Sequence, residues 1–447
     1  MATDLLARFA VDTQFDDLPT SVVEAAKLCF LDWLGSTYAG YSAEPCQILR
    51  NLIWELGGTP EATVIGSGRR TSCLYAAMAN AAFSHVVEMD DLDRESIYHP
   101  AAPIMPSALA LAERNNKSGA EFIRAIVLAY EVSIRIGQAV NPSHYQYWHT
   151  TGTVGTFGAA GAAAVLLGLN FEQTISALGS AGTQAAGLWE FLGDGAMSKQ
   201  LHPAKAAMNG VLSALLAQRG FTAAKKILEG EKGFFHATAP QYDLRKLVDG
   251  LQPKMSAYKI SQVSFKQHAC CRHTHSAIDA TLNLVDECHF RPEDINRITV
   301  KIYSGAMDLL GKLEANTPYA AKFNLPYCVA MAAIYKSVDH DKFSDEYLWD
   351  GRVRALMERV RLEVEPTLDK LYPAKWPSVV ELVTHSGDRL VSRVDYPKGD
   401  PENPLSREEL CTKFRALASS SIGQAQMEKY IEDTLRLEQI DNMASFL

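Results

Sequence analysis

The stretch HVVEMDDLDRESIYHP, residues 85–100, places five carboxylates and two histidines directly after an alanine-rich apolar run. Titratable groups are costly to collect beside apolar sequence, so their chemistry comes first. One reading is metal binding: Asp90, Asp91 and Asp93 have the look of an aspartate-rich Mg2+ motif on one helix face. Arg94 stands where that spacing needs another acid, and no convincing second cluster follows, so no metal is assigned. A second reading is acid/base chemistry, with His85 and His99 bracketing the acids. Pro100 restricts the backbone of His99 and can fix where its imidazole points. The third is a charged helix end that does no chemistry.

Three more groups carry reactive types. In YWHTTGTVGTFGAAG, His149 stands just before a helix start, where free backbone N–H groups attract an anion. Its glycines match neither a dinucleotide fingerprint nor a P-loop, and glycine for close helix packing is the plainer reading. In GAMSKQLHPAKAA, Lys199, His202 and Lys205 lie three residues apart, about one helical turn each, and together could grip a polyanion. Either lysine alone would be an ordinary surface residue. In SFKQHACCRHTHSAIDA, Lys266, His268, Cys270, Cys271, Arg272, His273 and His275 crowd together. The spacing gives no tetrahedral zinc pattern, so Lys266 and Arg272 point to an anion instead.

These groups need elements to hold them. Up to about residue 257 the apolar spacing is helical, as in LPTSVVEAAKLCFLDWLGSTYAG, where Gly35 is expected to end a helix. From 258 to 397 strands are expected in NRITVKIYSG, RVRLEVEP and SVVELVTHSGDRLVSRVDYP, the last a hairpin turning at SGD, with helices between them. A polar, proline-rich linker then leads back to helix. The fold class expected is mainly α: a large all-α helical domain from 1–257 and 398–447, with a smaller α+β lid domain, 258–397, inserted. The 447 residues are 47% hydrophobic with net charge -9, which argues against a nucleic-acid partner. No apolar run suggests a membrane span, and no secretory signal is read at the start. Eight scattered cysteines with no C-x-x-C pair suggest free thiols and a cytoplasmic location.

The series LDWLGSTYAG, AAMANAAFSHVVEMDD, HPAAPIMPSALALAE, HTTGTVGTFGAAGAAAVLLGL, MSKQLHPAKAAMNGVLSALLAQRGFT, LEGEKGFF, FKQHACCRHTHSAIDA and AAKFNLPYCVAMA resembles the MmgE/PrpD superfamily in order and spacing over nearly the whole chain. That superfamily includes 2-methylcitrate dehydratase, cis-aconitate decarboxylase and iminodisuccinate epimerase, and these motifs mark the superfamily rather than one activity. The resemblance implies a cofactor-independent enzyme and a homodimer with a cleft between helical domain and lid. By motif it carries catalytic roles to Glu88, His99, His149, Lys199 and Lys266. Substrate binding falls to Arg272, Tyr327, Asp91 and His202. The chain departs from the pattern at Glu88, where Asp is usual, and at Leu92, where Thr often follows the acid pair.

The reaction expected is that of a hydro-lyase: a dehydratase that abstracts a proton next to a carboxylate on a small di- or tricarboxylate such as 2-methylcitrate. Epimerisation or decarboxylation of a related polycarboxylate could use the same groups. A non-catalytic helical protein that binds a carboxylate or serves as a scaffold is the reading from another class. Replacing Lys199 or Lys266 by alanine is expected to leave folding largely intact, because a cleft lysine adds little to a core.

Overall fold

The computed structural model describes residues 1–288, 291–311 and 314–447, and it is mainly helical with two small sheets. The helices Thr20–Gly40, Cys73–Val86, Ala101–Arg114, Gly119–Val140, Thr150–Leu166 and Leu201–Gln218 pack on one another around a core rich in alanine. Small residues set how closely they approach. A Cβ on Gly210 would lie 2.4 Å from the Ala159 Cβ and 2.6 Å from the Ala160 nitrogen, so Leu201–Gln218 and Thr150–Leu166 touch nearly backbone to backbone. Their first turns are thereby brought together.

The helix expected to stop at Gly35 runs on to Gly40. Glycine at 40 serves contact rather than termination: a Cβ there would sit 1.9 Å from the Phe83 carbonyl oxygen. That contact seats Thr20–Gly40 against Cys73–Val86, the helix that carries His85. The helical half also contains a small antiparallel hairpin that periodicity did not reveal, β1 (Ala62–Val64) and β2 (Arg69–Thr71).

The strands expected after residue 258 are present as β3 (Ile295–Ile302), β4 (Val360–Val364), β5 (Ser378–Thr384) and β6 (Arg389–Val394), in sheet order β4-β3-β5-β6. β3 pairs parallel to β4 and antiparallel to β5, and β5 and β6 form the hairpin. Ser378, Val380, Leu382 and Thr384 of β5 are buried at alternate positions, and the helix His275–Cys288 packs on β5 and β6. The helices Arg407–Ala418 and Gln424–Leu435 return to pack on Thr20–Gly40. Cys29, Cys46, Cys73, Cys270, Cys271, Cys328 and Cys411 are free and buried. Among the described residues no helix is long and apolar enough to cross a membrane.

Candidate active site

The acidic stretch is a tightly tied loop. The helix Cys73–Val86 ends in it, and Glu88 follows with φ 59°, a left-handed conformation that costs a side-chain-bearing residue roughly 1–2 kcal/mol. Leu92 then forms a two-bond bridge with Ser264, N to O 2.9 Å and 2.7 Å, which fixes where Lys266 enters two residues later. Asp93 pairs with Tyr98 across a short turn closed by Ser96, whose hydroxyl donates to Asp93 Oδ1 at 2.6 Å. The turn brings His99 back beside His85, their ring centroids 5.1 Å apart. Asp91 Oδ1 accepts from the Ala101 N–H at 3.0 Å and so caps the helix Ala101–Arg114, while the Tyr130 hydroxyl donates to Asp91 Oδ2 at 2.7 Å.

Glu88 is the hub of the charged groups. Its Oε1 accepts from Lys199 Nζ, its Oε2 from Lys266 Nζ at 3.0 Å, and the Tyr319 hydroxyl donates to Oε1 at 3.4 Å. Glu88, Lys199 and Lys266 are all buried. Burial alone would raise the Glu88 pKa, but the two ammonium groups outweigh it and hold the carboxyl well below its usual range. Burial works against the charge of Lys266, but Glu88 and Asp90 more than restore it, and its pKa is raised. The C-terminal half grips the same turn from behind, where Lys322 Nζ donates to the Val87 carbonyl at 2.7 Å.

Beside this clamp runs a line of imidazoles. His85 Nδ1 lies 2.6 Å from Asp90 Oδ2, and His99 Nδ1 lies 3.4 Å from the same oxygen. His85 stacks on His149 at 5.5 Å between centroids, and His149 Nδ1 meets His202 Nδ1 at 2.9 Å. Trp189 covers His149 from another side at 4.8 Å. Burial, helped by Lys266, lowers His99 to about 4 against the pull of Asp90, and burial with the neighbouring imidazoles and Lys199 lowers His202 to about 4 and His149 well below its ordinary value. Asp90, by contrast, is held ionised below the usual range: burial opposes it, but His85 and His99 prevail. The result is a buried cluster of two lysines, two ionised carboxylates and four imidazoles, in which His99 and His202 are only partly buried.

The structure thus brings Glu88, His99, His149, Lys199, Lys266 and His202 together. Three residues expected with them are tied to other partners. The Arg272 guanidinium is bound to Asp400, a buried carboxylate that also accepts from Ser264 Oγ at 2.6 Å and Arg94 Nη1 at 2.9 Å. The Tyr327 hydroxyl donates to the Lys342 carbonyl at 2.8 Å, against Phe343. Asp91 is spent on the helix cap and Tyr130. Sequence reasoning noted His85 and Asp90 without placing them in the site. It missed Tyr319 and Gln200, whose side-chain amide donates to the Tyr319 hydroxyl at 3.2 Å. No local pattern marks those two, because only the tertiary fold brings residues 88, 200 and 319 together.

The three aspartates of the apparent metal motif point into three different networks, so they offer no shared ligand set. His85, Asp90 and His99 do place ligand atoms within 4.8 Å of one another. Lys266 Nζ, 4.0 Å from Asp90 Oδ1, puts a fixed positive charge against any cation there.

The sequence profile of the MmgE/PrpD N-terminal domain matches residues 4–246, and that of the C-terminal domain matches residues 268–437. The chain belongs to the MmgE/PrpD family. It is 29% identical to the cis-aconitate decarboxylase-like protein oryM of Aspergillus oryzae, over 99% of this chain and 95% of that protein. It is 27% identical to cis-aconitate decarboxylase of Aspergillus terreus, over 100% and 95%. Mitochondrial 2-methylcitrate dehydratase of Yarrowia lipolytica is 22% identical, over 92% of this chain and 82% of that protein.

Proposed function

We propose that the protein is a lyase acting on a small tricarboxylate, by building negative charge on a carbon next to a carboxylate. The carrying observation is Glu88 held between two buried lysines, with four imidazoles alongside. Lysines that accommodate one carboxylate in a dry site can accommodate a substrate carboxylate, and they stabilise the charge that develops on it. The imidazoles supply and remove protons. Residues 258–397 then act as a lid over the helical body, since the groups are too buried to be reached without movement.

Carbon–carbon cleavage with loss of CO2 is the first reading, because the two Aspergillus relatives are named for decarboxylation. Dehydration is the second, supported by the Yarrowia relative. The test is a panel of hydroxy- and unsaturated di- and tricarboxylates, assayed with and without chelator. CO2 release, loss of water and product chirality are followed separately. Release of CO2 from a tricarboxylate supports the first reading, and loss of water the second. Inversion alone moves the assignment to epimerisation, and no turnover of any member defeats the lyase reading.

A further inference from the structure

Two ring nitrogens 2.9 Å apart, as in His149 and His202, need one proton between them. Both rings stand at helix starts. His149 is the N-cap of Thr150–Leu166, and His202 is the second residue of Leu201–Gln218. Both N-termini bring partial positive charge to one spot. His85 and Lys199 act on both rings, His99 on His149, and Lys205 on His202. Trp189 and Phe191 close the apolar side, with Phe191 5.4 Å from the His202 ring. Among the described residues neither ring pairs with a carboxylate, and Asp90 and Glu88 are committed to His85 and to the lysines. The contact is built rather than incidental. A Cβ on Gly152 would lie 3.0 Å from the His202 Cβ, and one on Gly187 3.3 Å from its ring.

We propose that His149 and His202 form one proton-holding unit, neutral in the empty site, which takes up a proton from solution when a polycarboxylate binds. His202 is a positioning residue that acts through His149. The proposal rests on the polycarboxylate reading above. Burial and the surrounding cations keep both rings unprotonated until an anion arrives. An opposite charge within about 4–6 Å shifts a pKa by about 1–3 units, and a tricarboxylate brings several such charges to the same pair, whose shifts add. In decarboxylation the C–C bond breaks, its electron pair stays on carbon and CO2 departs. The N–H bond of His149 then breaks as the new C–H bond forms, and the pair returns to neutral. One proton is consumed per turnover. In dehydration the same proton leaves with the hydroxyl as water, while a base elsewhere gains the proton taken from carbon, so the balance is zero.

The probe is propane-1,2,3-tricarboxylate, which has neither hydroxyl nor double bond to react. Its binding heat is measured near neutral pH in phosphate and in Tris, whose ionisation enthalpies differ. The expected result is uptake of about one proton per probe bound, with affinity rising as pH falls. His202→Asn keeps a polar partner near the Nδ1 position but cannot titrate. Its uptake is expected to drop by half or more and its affinity–pH slope to flatten. Should that variant not fold, the wild-type proton count decides alone. Binding without uptake, or unchanged uptake in a folded His202→Asn, overturns the proposal and leaves the lyase reading standing. Failure of every polycarboxylate to bind or turn over removes both.

Discussion

At the scale of single residues, the pairing of Lys199 and Lys266 with Glu88 changes what their removal should do. All three charges are buried. Truncating one lysine leaves carboxylate charge under-compensated in a dry site, which costs about 3–5 kcal/mol. The expectation that alanine would be tolerated treated them as cleft lysines that add little to a core. Lys266→Ala should therefore lower the melting temperature markedly. The triple variant Glu88→Gln/Lys199→Met/Lys266→Met removes all three charges and should recover most of that loss. Turnover should stay down by roughly two orders of magnitude or more in both, the scale of losing a preorganised donor. Equal melting of Lys266→Ala and wild type would show that the triad carries no stability. Asp91 gives a second test. Burial, with Asp32 and Asp90 nearby, raises its pKa well above the usual range, so a neutral side chain suits it. Asp91→Asn should melt close to wild type, while Asp91→Ala, which strands Tyr130 and the Ala101 N–H, should cost about 1–3 kcal/mol. The lysines and histidines were legible because their types and motif positions are local. That Arg272 turns to Asp400 was not, since 128 positions separate the partners.

At the scale of elements, the candidate site depends on two helices starting side by side. Gly210→Ala would drive a methyl into Ala159 and the Ala160 backbone. It should destabilise by about 1–3 kcal/mol, and turnover should fall because the first turns carrying His149 and His202 are pushed apart. Unchanged turnover in a folded Gly210→Ala would mean the convergence is not required. Periodicity made the helices and the β5–β6 hairpin readable, because each encodes its own buried face. It could not show that β3 lies parallel to β4, whose partner is far along the chain. It also misjudged Gly35, since a glycine that permits close contact and one that ends a helix look alike without the neighbour.

At the scale of the whole molecule, burial suppresses protonation of many histidines. His99, His144, His202 and His340 are lowered to about 4 and His273 to about 3, burial being the largest cause in each. An unfolded chain binds protons at these rings near 6.5, while the folded one resists until about 4. Their contribution is thus intact above about 6.5 and is lost as pH falls toward 4. Asp32, Asp91, Asp93 and Glu113, all raised by burial, act in the opposite sense but are fewer than these rings. Thermal melting should decline across that acid window, and a flat profile would refute it. The buried thiols offer a different view of the same molecule. A maleimide attacks only a sulfur that meets solvent, so each cysteine times the opening of its own neighbourhood. Cys29, Cys46 and Cys73 report on the helical half, Cys270, Cys271 and Cys328 on the half that supplies Lys266 and Tyr319, and Cys411 on the returning helix. Under pulse labelling, a tricarboxylate that binds the site should slow modification of Cys270 and Cys271 while leaving the rate at Cys46 unchanged, so the chain carries its own clock for the proposed lid opening.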